Sequence, residues 1–324
     1  MLSRVAERIY WMARYLERAE NTARLVNVNS HLLLDLPRIV TVGWSPLVDI
    51  SGNRSQFDEL YDEPTERAVV KFLIADQRNQ GSLVNSIRYA RENTRTIRDI
   101  MPNDVWEAIN NLHDLCKQEL PNGLSRKNRF AFLQQIIAQT QQITGLLAGT
   151  MLHNIGYSFL KLGRNLERAD MTTRIIDVRT ESIVTTETED LVPFEQIQWV
   201  SVLHSMSAYQ SFRQEVQGII RRDNVLRFLT QNRRFPRSFA HCIQEVRSCF
   251  SNMPRSQQLI TLADSILANV ERLKFESLAV DKLYLLIDEL QIELAQLHQA
   301  ITSSYFSLER NAQKPAQQKQ VMTT

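Results

Sequence analysis

The twelve residues from Arg14 to Leu25, RYLERAENTARL, return at Arg164 to Ile175 as RNLERADMTTRI. This repeated charged helix restricts the fold more than any other feature of the chain. Ile9, Met12, Leu16, Ala19, Ala23 and Val26 fall at steps of three and four, the spacing of one apolar stripe on a helix. Adding 150 gives Phe159, Leu162, Leu166, Ala169, Thr173 and Ile176, the same stripe again. Small residues recur with it, since Ala6 and Ala13 match Gly156 and Gly163. With Gly149 these form a seven-residue ladder suited to close helix–helix approach.

The correspondence continues downstream. Trp44, Val48 and Phe57 match Trp199, Leu203 and Phe212 at an offset of 155. Val70, Lys71, Phe72, Leu73, Ile87 and Arg91 match Leu226, Arg227, Phe228, Leu229, Ile243 and Arg247 at 156. Loop insertions produce such drift. The chain therefore reads as an internal duplication, repeat one about 1–147 and repeat two about 151–306, related by a pseudo-two-fold axis. Nine glycines and nine prolines in 324 residues leave room for long helices. In the first repeat these are expected near 2–34, 44–52, 65–79, 81–99, 103–119 and from 126 onward. Ser45-Pro46 suits a helix start and Asn122-Gly123 a helix end.

From 126 the pattern is expected to run unbroken to about residue 179, a long shared central helix with a kink near Gly145–Gly149. At roughly 1.5 Å per residue it would be about 80 Å long. The expected class is all-α, one integrated multi-helix bundle over 1–310, followed by a disordered polar tail, 311–324. Phe130 to Leu160 has no Asp, Glu, Lys or Arg, but its glutamines, His153 and Asn154 argue against a lipid span. It reads as a helix buried on most sides, with His153 a hydrogen-bonded core residue.

On a helical wheel Arg14, Glu17, Arg18 and Asn21 share one face, opposite Leu16, Ala19 and Ala23. Arg14, Glu17, Arg18 and Arg24 recur as Arg164, Glu167, Arg168 and Arg174, and Glu20 recurs as Asp170. A solvated face gains only about 0.2–0.5 kcal/mol per ion pair and does not require repetition. Two constraints do: each glutamate pairs with arginines of the other copy, or guanidinium groups from both copies converge on a carboxylate or phosphate ligand. The pairing reading is preferred. A carboxylate-bridged metal site lacks its histidine, because neither Glu17-x-x-Glu20 nor Glu167-x-x-Asp170 ends in one. No metal and no cofactor is expected.

A second basic run, Arg221, Arg222, Arg227, Arg233, Arg234 and Arg237, is interleaved with Phe228, Phe235 and Phe239. It reads as a solvated or partner-facing surface ahead of a nucleic-acid surface with base stacking. Net charge of +2 supplies no general attraction to polyanions. Three cysteines with no CxxC fit a reducing cytoplasm, and charges near the N-terminus exclude a secretory signal there. No glycine-rich phosphate loop, nucleophile elbow or HExxH marks an enzyme, so the catalytic residues stay unknown.

The opening MLSRVAERIYWMARYLERAENTARLV, with its second LERAD, resembles the Alpha-E family, an all-helical bacterial family carrying a glutamate–arginine motif. The motif falls on Glu17-Arg18 and, through the repeat, on Glu167-Arg168. The resemblance implies gene neighbourhood or fusion with circularly permuted ATP-grasp proteins and transglutaminase-like proteins. The first expectation is a non-catalytic helical partner or substrate-presenting subunit of an ATP-grasp amide ligase. The alternatives are an enzyme of that pathway binding an anionic peptide or amino acid, and a nucleic-acid-binding protein.

Overall fold

The structure is a computed structural model that describes residues 2–35, 43–184, 192–276 and 280–307. The tail expected to be disordered lies outside them. Among the described residues there are fourteen α-helices, one 3-10 turn and no strand. The first seven helices are α1 (Ser3–Asp35), α2 (Ser45–Ser51), α3 (Arg54–Leu60), α4 (Glu66–Ile74), α5 (Leu83–Thr96), α6 (Asn103–Leu124) and α7 (Arg126–Thr150). The next seven are α8 (Ile155–Val184), α9 (Val192–Ser205), α10 (Tyr209–Glu215), α11 (Arg222–Gln231), α12 (Phe239–Phe250), α13 (Gln257–Glu271) and α14 (Val280–Tyr305).

Local chemistry sets most boundaries. Thr65, Ser82 and Ser238 cap α4, α5 and α12 by accepting the N–H of the residue three positions on. Pro46 stands in the first turn of α2, and Gly52 ends that helix with φ 72°. A side chain at Gly52 would also strike Arg174, since an added Cβ would lie 2.3 Å from its Nη1. Helix α4 stops at Ile74, well short of 79, because Asn79 organises the connection. Its amide donates to Phe72 O and its oxygen accepts from Gly81 N. Helix α3 was not expected. Asn122-Gly123 does not end α6, which continues to Leu124; Gly123 lets Phe132 of α7 approach where a Cβ would meet its ring at 2.3 Å.

The long shared helix is absent. α7 ends at Thr150, Met151 is extended (ψ 137°), and α8 begins at Ile155. Asn154 starts α8 by accepting Gly156 N at 2.8 Å, the capping role that asparagine favours. α7 is also not buried on most sides. Phe132, Leu133, Ile136, Ile143 and Leu147 face the core, whereas Gln134, Gln135, Gln141 and Gln142 face solvent. Uncharged polar side chains do there what charges do on other helices. His153 is exposed, not core, and stacks on Tyr157 with ring centroids 3.9 Å apart. A Cβ added at Gly149 would meet nothing within 4 Å, so the close approach expected of the small-residue ladder does not extend to it.

Both predicted apolar stripes are buried throughout. Each full-size aliphatic side chain so placed contributes about 1.5–3 kcal/mol. α1 and α8 pack along each other at the centre, with Gly163 tight against Tyr10; a Cβ there would lie 2.2 Å from the Tyr10 carbonyl oxygen. α1 is surrounded further by α5, α7 and α9, and α8 by α2, α12 and α14. Short helix α2 thus leans on α8, while α9 leans on α1, so the two halves of the chain interleave. With apolar neighbours behind them and each other in front, α1 and α8 have little face left for water.

Candidate functional site: the charged seam between α1 and α8

That packing takes the Glu–Arg face into the interior. The side chains of Glu17 and Glu167 are each 2% exposed. Glu167 receives Arg14 Nε at 2.7 Å and Arg18 in a two-pronged contact, Nε at 2.6 Å and Nη2 at 3.0 Å. Glu17 receives Arg237 Nη1 at 2.7 Å and has Arg168 Nε 2.9 Å away. The Arg168 N–H is not aimed at that oxygen, so this contact is an ion pair and not a formed hydrogen bond. Each carboxylate is thereby held by the helix opposite its own, plus a second arginine.

The network extends one turn further. Glu20 accepts from Arg24 Nε and Nη2 at 2.9 and 2.7 Å, and from Arg237 Nη2 at 2.8 Å. Arg237 Nη1 also donates to Asn21 at 2.7 Å. Asp170 pairs with Arg174 at 3.0 Å. Among the described residues Arg164 forms no ion pair, and its buried Nε lacks a hydrogen-bond partner. Thus nine of the ten expected motif residues enter ion pairs and Arg164 does not.

Arg237 is a correction. The sequence put it on a partner-facing surface, but it is 8% exposed and bridges Glu17 to Glu20. Its backbone carbonyl is fixed by the Thr172 hydroxyl of α8 at 2.8 Å, and the capped start of α12 follows immediately. No periodicity could have revealed this, since Arg237 lies in a loop. The rest of the basic run is paired outside the seam: Arg227 with Glu276, Arg233 with Glu271, Arg234 with Glu215, and Arg221 3.6 Å from Asp223. Arg222 opens α11. Phe228, Phe235 and Phe239 are buried, leaving no stacking platform for bases.

Electrostatics keeps Glu17 and Glu167 ionised. Burial pushes both glutamates up, but the guanidinium groups outweigh it: Arg168 and Arg237 lower Glu17, and Arg18 and Arg14 lower Glu167 to about 2. Burial pulls Arg14 and Arg168 down and their glutamates raise them above the usual arginine range. Arg164, buried and beside Arg168, is lowered. At the end of the seam Tyr10 donates or accepts 2.7 Å from His298 Nδ1, and burial together with Arg14 drives His298 to about 4. Burial raises the thiols of Cys116 and Cys242 to about 12 and Cys249 to about 11, so none is a ready nucleophile. Held below the usual carboxylate range by their arginines, Glu17 and Glu167 are poorly suited to accept a proton. The seam opens on one side into a cleft of about 510 Å³ lined by Arg14, Arg18, Asp170, Arg174, Asp288 and His298. Among the described residues no His/Cys/Asp/Glu group is placed to hold a metal, and no helix is long and apolar enough to cross a membrane.

Comparison with known proteins finds uncharacterized proteins of Mycobacterium bovis and Mycobacterium tuberculosis, each 24% identical over 271 residues. The match takes in 78% of this chain but 30% of theirs, so the chain spans under a third of their length. No solved structure matches. The model of the Alpha-E family, described as a predicted alpha-helical domain with a conserved ER motif, matches residues 1–306. With its described helices matched by that model from end to end, the chain belongs to the Alpha-E family.

Proposed function

We propose that the chain is a non-catalytic helical partner or substrate-presenting subunit of a bacterial, cytoplasmic ATP-grasp amide ligase, with its glutamate–arginine motifs serving as an internal lock. The observation that carries the lock is the reciprocal pairing of Glu17 and Glu167 with arginines from the facing helix. Carboxylates this buried, ionised and saturated are unsuited to acid–base work. The ligase rests on the family resemblance. Relatives in which this helical region is under a third of a longer protein are consistent with a module that works beside other parts.

The lock reading includes the internal duplication. Its support is the order of α1–α7 and α8–α14, in which all pairs but α2/α9 and α6/α13 agree in length within three residues, and the left-handed residues Gly52 and Ser207, 155 positions apart, after α2 and α9. Affinity purification of the full chain from its bacterial host tests the partner. The expected result is a co-purifying ATP-grasp protein and no ATP turnover by the chain alone. ATP turnover by the pure chain, lost on changing one of its own residues, would overturn it.

A second reading, an enzyme or carrier that binds an anionic peptide, is favoured by the cleft beside Arg18 and Arg174. It predicts that an acidic peptide such as diglutamate raises the melting temperature, and that Arg174→Ala removes the rise. Diglutamate without effect on the parent protein would remove this reading.

A further inference from the structure

A different cavity, of about 550 Å³, lies where α1, α7 and α9 meet, outside the Glu–Arg seam except for Arg24. This volume is that of a small-molecule site. Two helices turn regular faces toward it. From α1 come Arg24, Asn27, Val28, His31 and Leu32, a set spaced i, i+3, i+4, i+7 and i+8. From α9 come Ile197, Val200, Ser201 and His204, spaced i, i+3, i+4 and i+7. Val28, Leu32, Ile137, Ile197 and Val200 supply aliphatic walls.

The polar groups here are unspent. Asn27 and Ser201 are each 4% exposed, yet Asn27 Nδ2 and Ser201 Oγ have no hydrogen-bond partner among the described residues. A buried amide or hydroxyl left unpaired is costly and calls for an explanation. Beside them Arg24 uses Nε and Nη2 on Glu20, leaving Nη1 without a partner among the described residues. An amide can present either end, so Arg24 sets the sign of the complementary group. Among the described residues the lining includes no Asp or Glu. Orphaned donors beside one cation, above aliphatic walls, match a carboxylate on an apolar body.

We propose that this cavity binds a small aliphatic carboxylate, its carboxylate facing Arg24, Asn27 and Ser201 and its chain lying along Val28, Ile137 and Val200. The site is separate from the cleft at Arg18 and does not depend on the proposed ligase partner. The test titrates the full chain with hexanoate and N-acetyl-leucine, using hexanol and hexylamine as probes without the carboxylate, followed by calorimetry and saturation-transfer NMR. The expected result is saturable binding of both carboxylates with Kd of about 1 mM or tighter, and none of the alcohol or amine. Asn27→Leu and Ser201→Ala each delete a polar atom that has no partner, so both variants should fold, and each should weaken binding about tenfold. No saturable binding of either carboxylate, equal binding of hexanol, or full affinity in both folded variants would each overturn the proposal.

Discussion

Glu167 takes both its arginines, Arg14 and Arg18, from the one helix that faces it. Glu17 takes Arg168 from the facing helix and Arg237 from a loop 220 residues along the chain. Arg164, the sequence counterpart of Arg14, does not take this role, and its buried Nε has no hydrogen-bond partner among the described residues. Two nearly identical stretches of sequence thus end in different circuits. The glutamates see the same burial, so the difference lies in supply: what else reaches the seam decides which arginine wins. It also lies in redundancy. Arg14 and Arg18 have one carboxylate between them in direct contact, whereas Arg237 divides itself between Glu17 and Glu20.

That contrast sets an order of effects. Glu167→Gln should destabilise most, by about 3–5 kcal/mol in urea unfolding, because two largely buried guanidinium groups lose their partner together. Glu17→Gln should cost less, about 2–3 kcal/mol, since Arg237 falls back on Glu20 and Asn21 and only Arg168 is stranded. The reverse ranking would break the comparison. Acid should reach Glu167 through its lowered pKa. Folding favours the ionised form, so this contribution is full above the unfolded value of about 4.3 and is lost as pH falls toward 2. Stability should decline through that window in the parent and decline less steeply in Glu167→Gln; identical slopes would contradict the assignment. Smallest of all, Arg233→Ala, which breaks a pair between half-exposed side chains, should change stability by about 0–1 kcal/mol. A loss comparable to Glu17→Gln would mean that the outer basic run shares in the lock.

The central helices were legible because periodicity carries burial directly: every residue of both stripes is buried. The seam was legible because charges repeated on one face have to meet something, and the wheel placed Arg14, Glu17, Arg18 and Asn21 together. Arg237 was not legible, since a loop has no period and its partners come from distant tertiary packing. The break between α7 and α8 was written in Asn154, a good capping residue ahead of Gly156, but apolar content on both sides masked it. The glutamines of α7 show why absence of charge is a weak sign of burial: amides solvate a helix face well enough.

The most direct test of the lock is a double-mutant cycle on Arg18 and Glu167, the pair joined by two hydrogen bonds across the seam. Unfolding free energies would be measured for the parent, Arg18→Met, Glu167→Gln and the double variant under one buffer condition. The predicted outcome is a coupling of about 1–3 kcal/mol, the double variant costing less than the sum of the singles. Additivity within about 0.3 kcal/mol would contradict the claim that the glutamate–arginine motif holds α1 and α8 together.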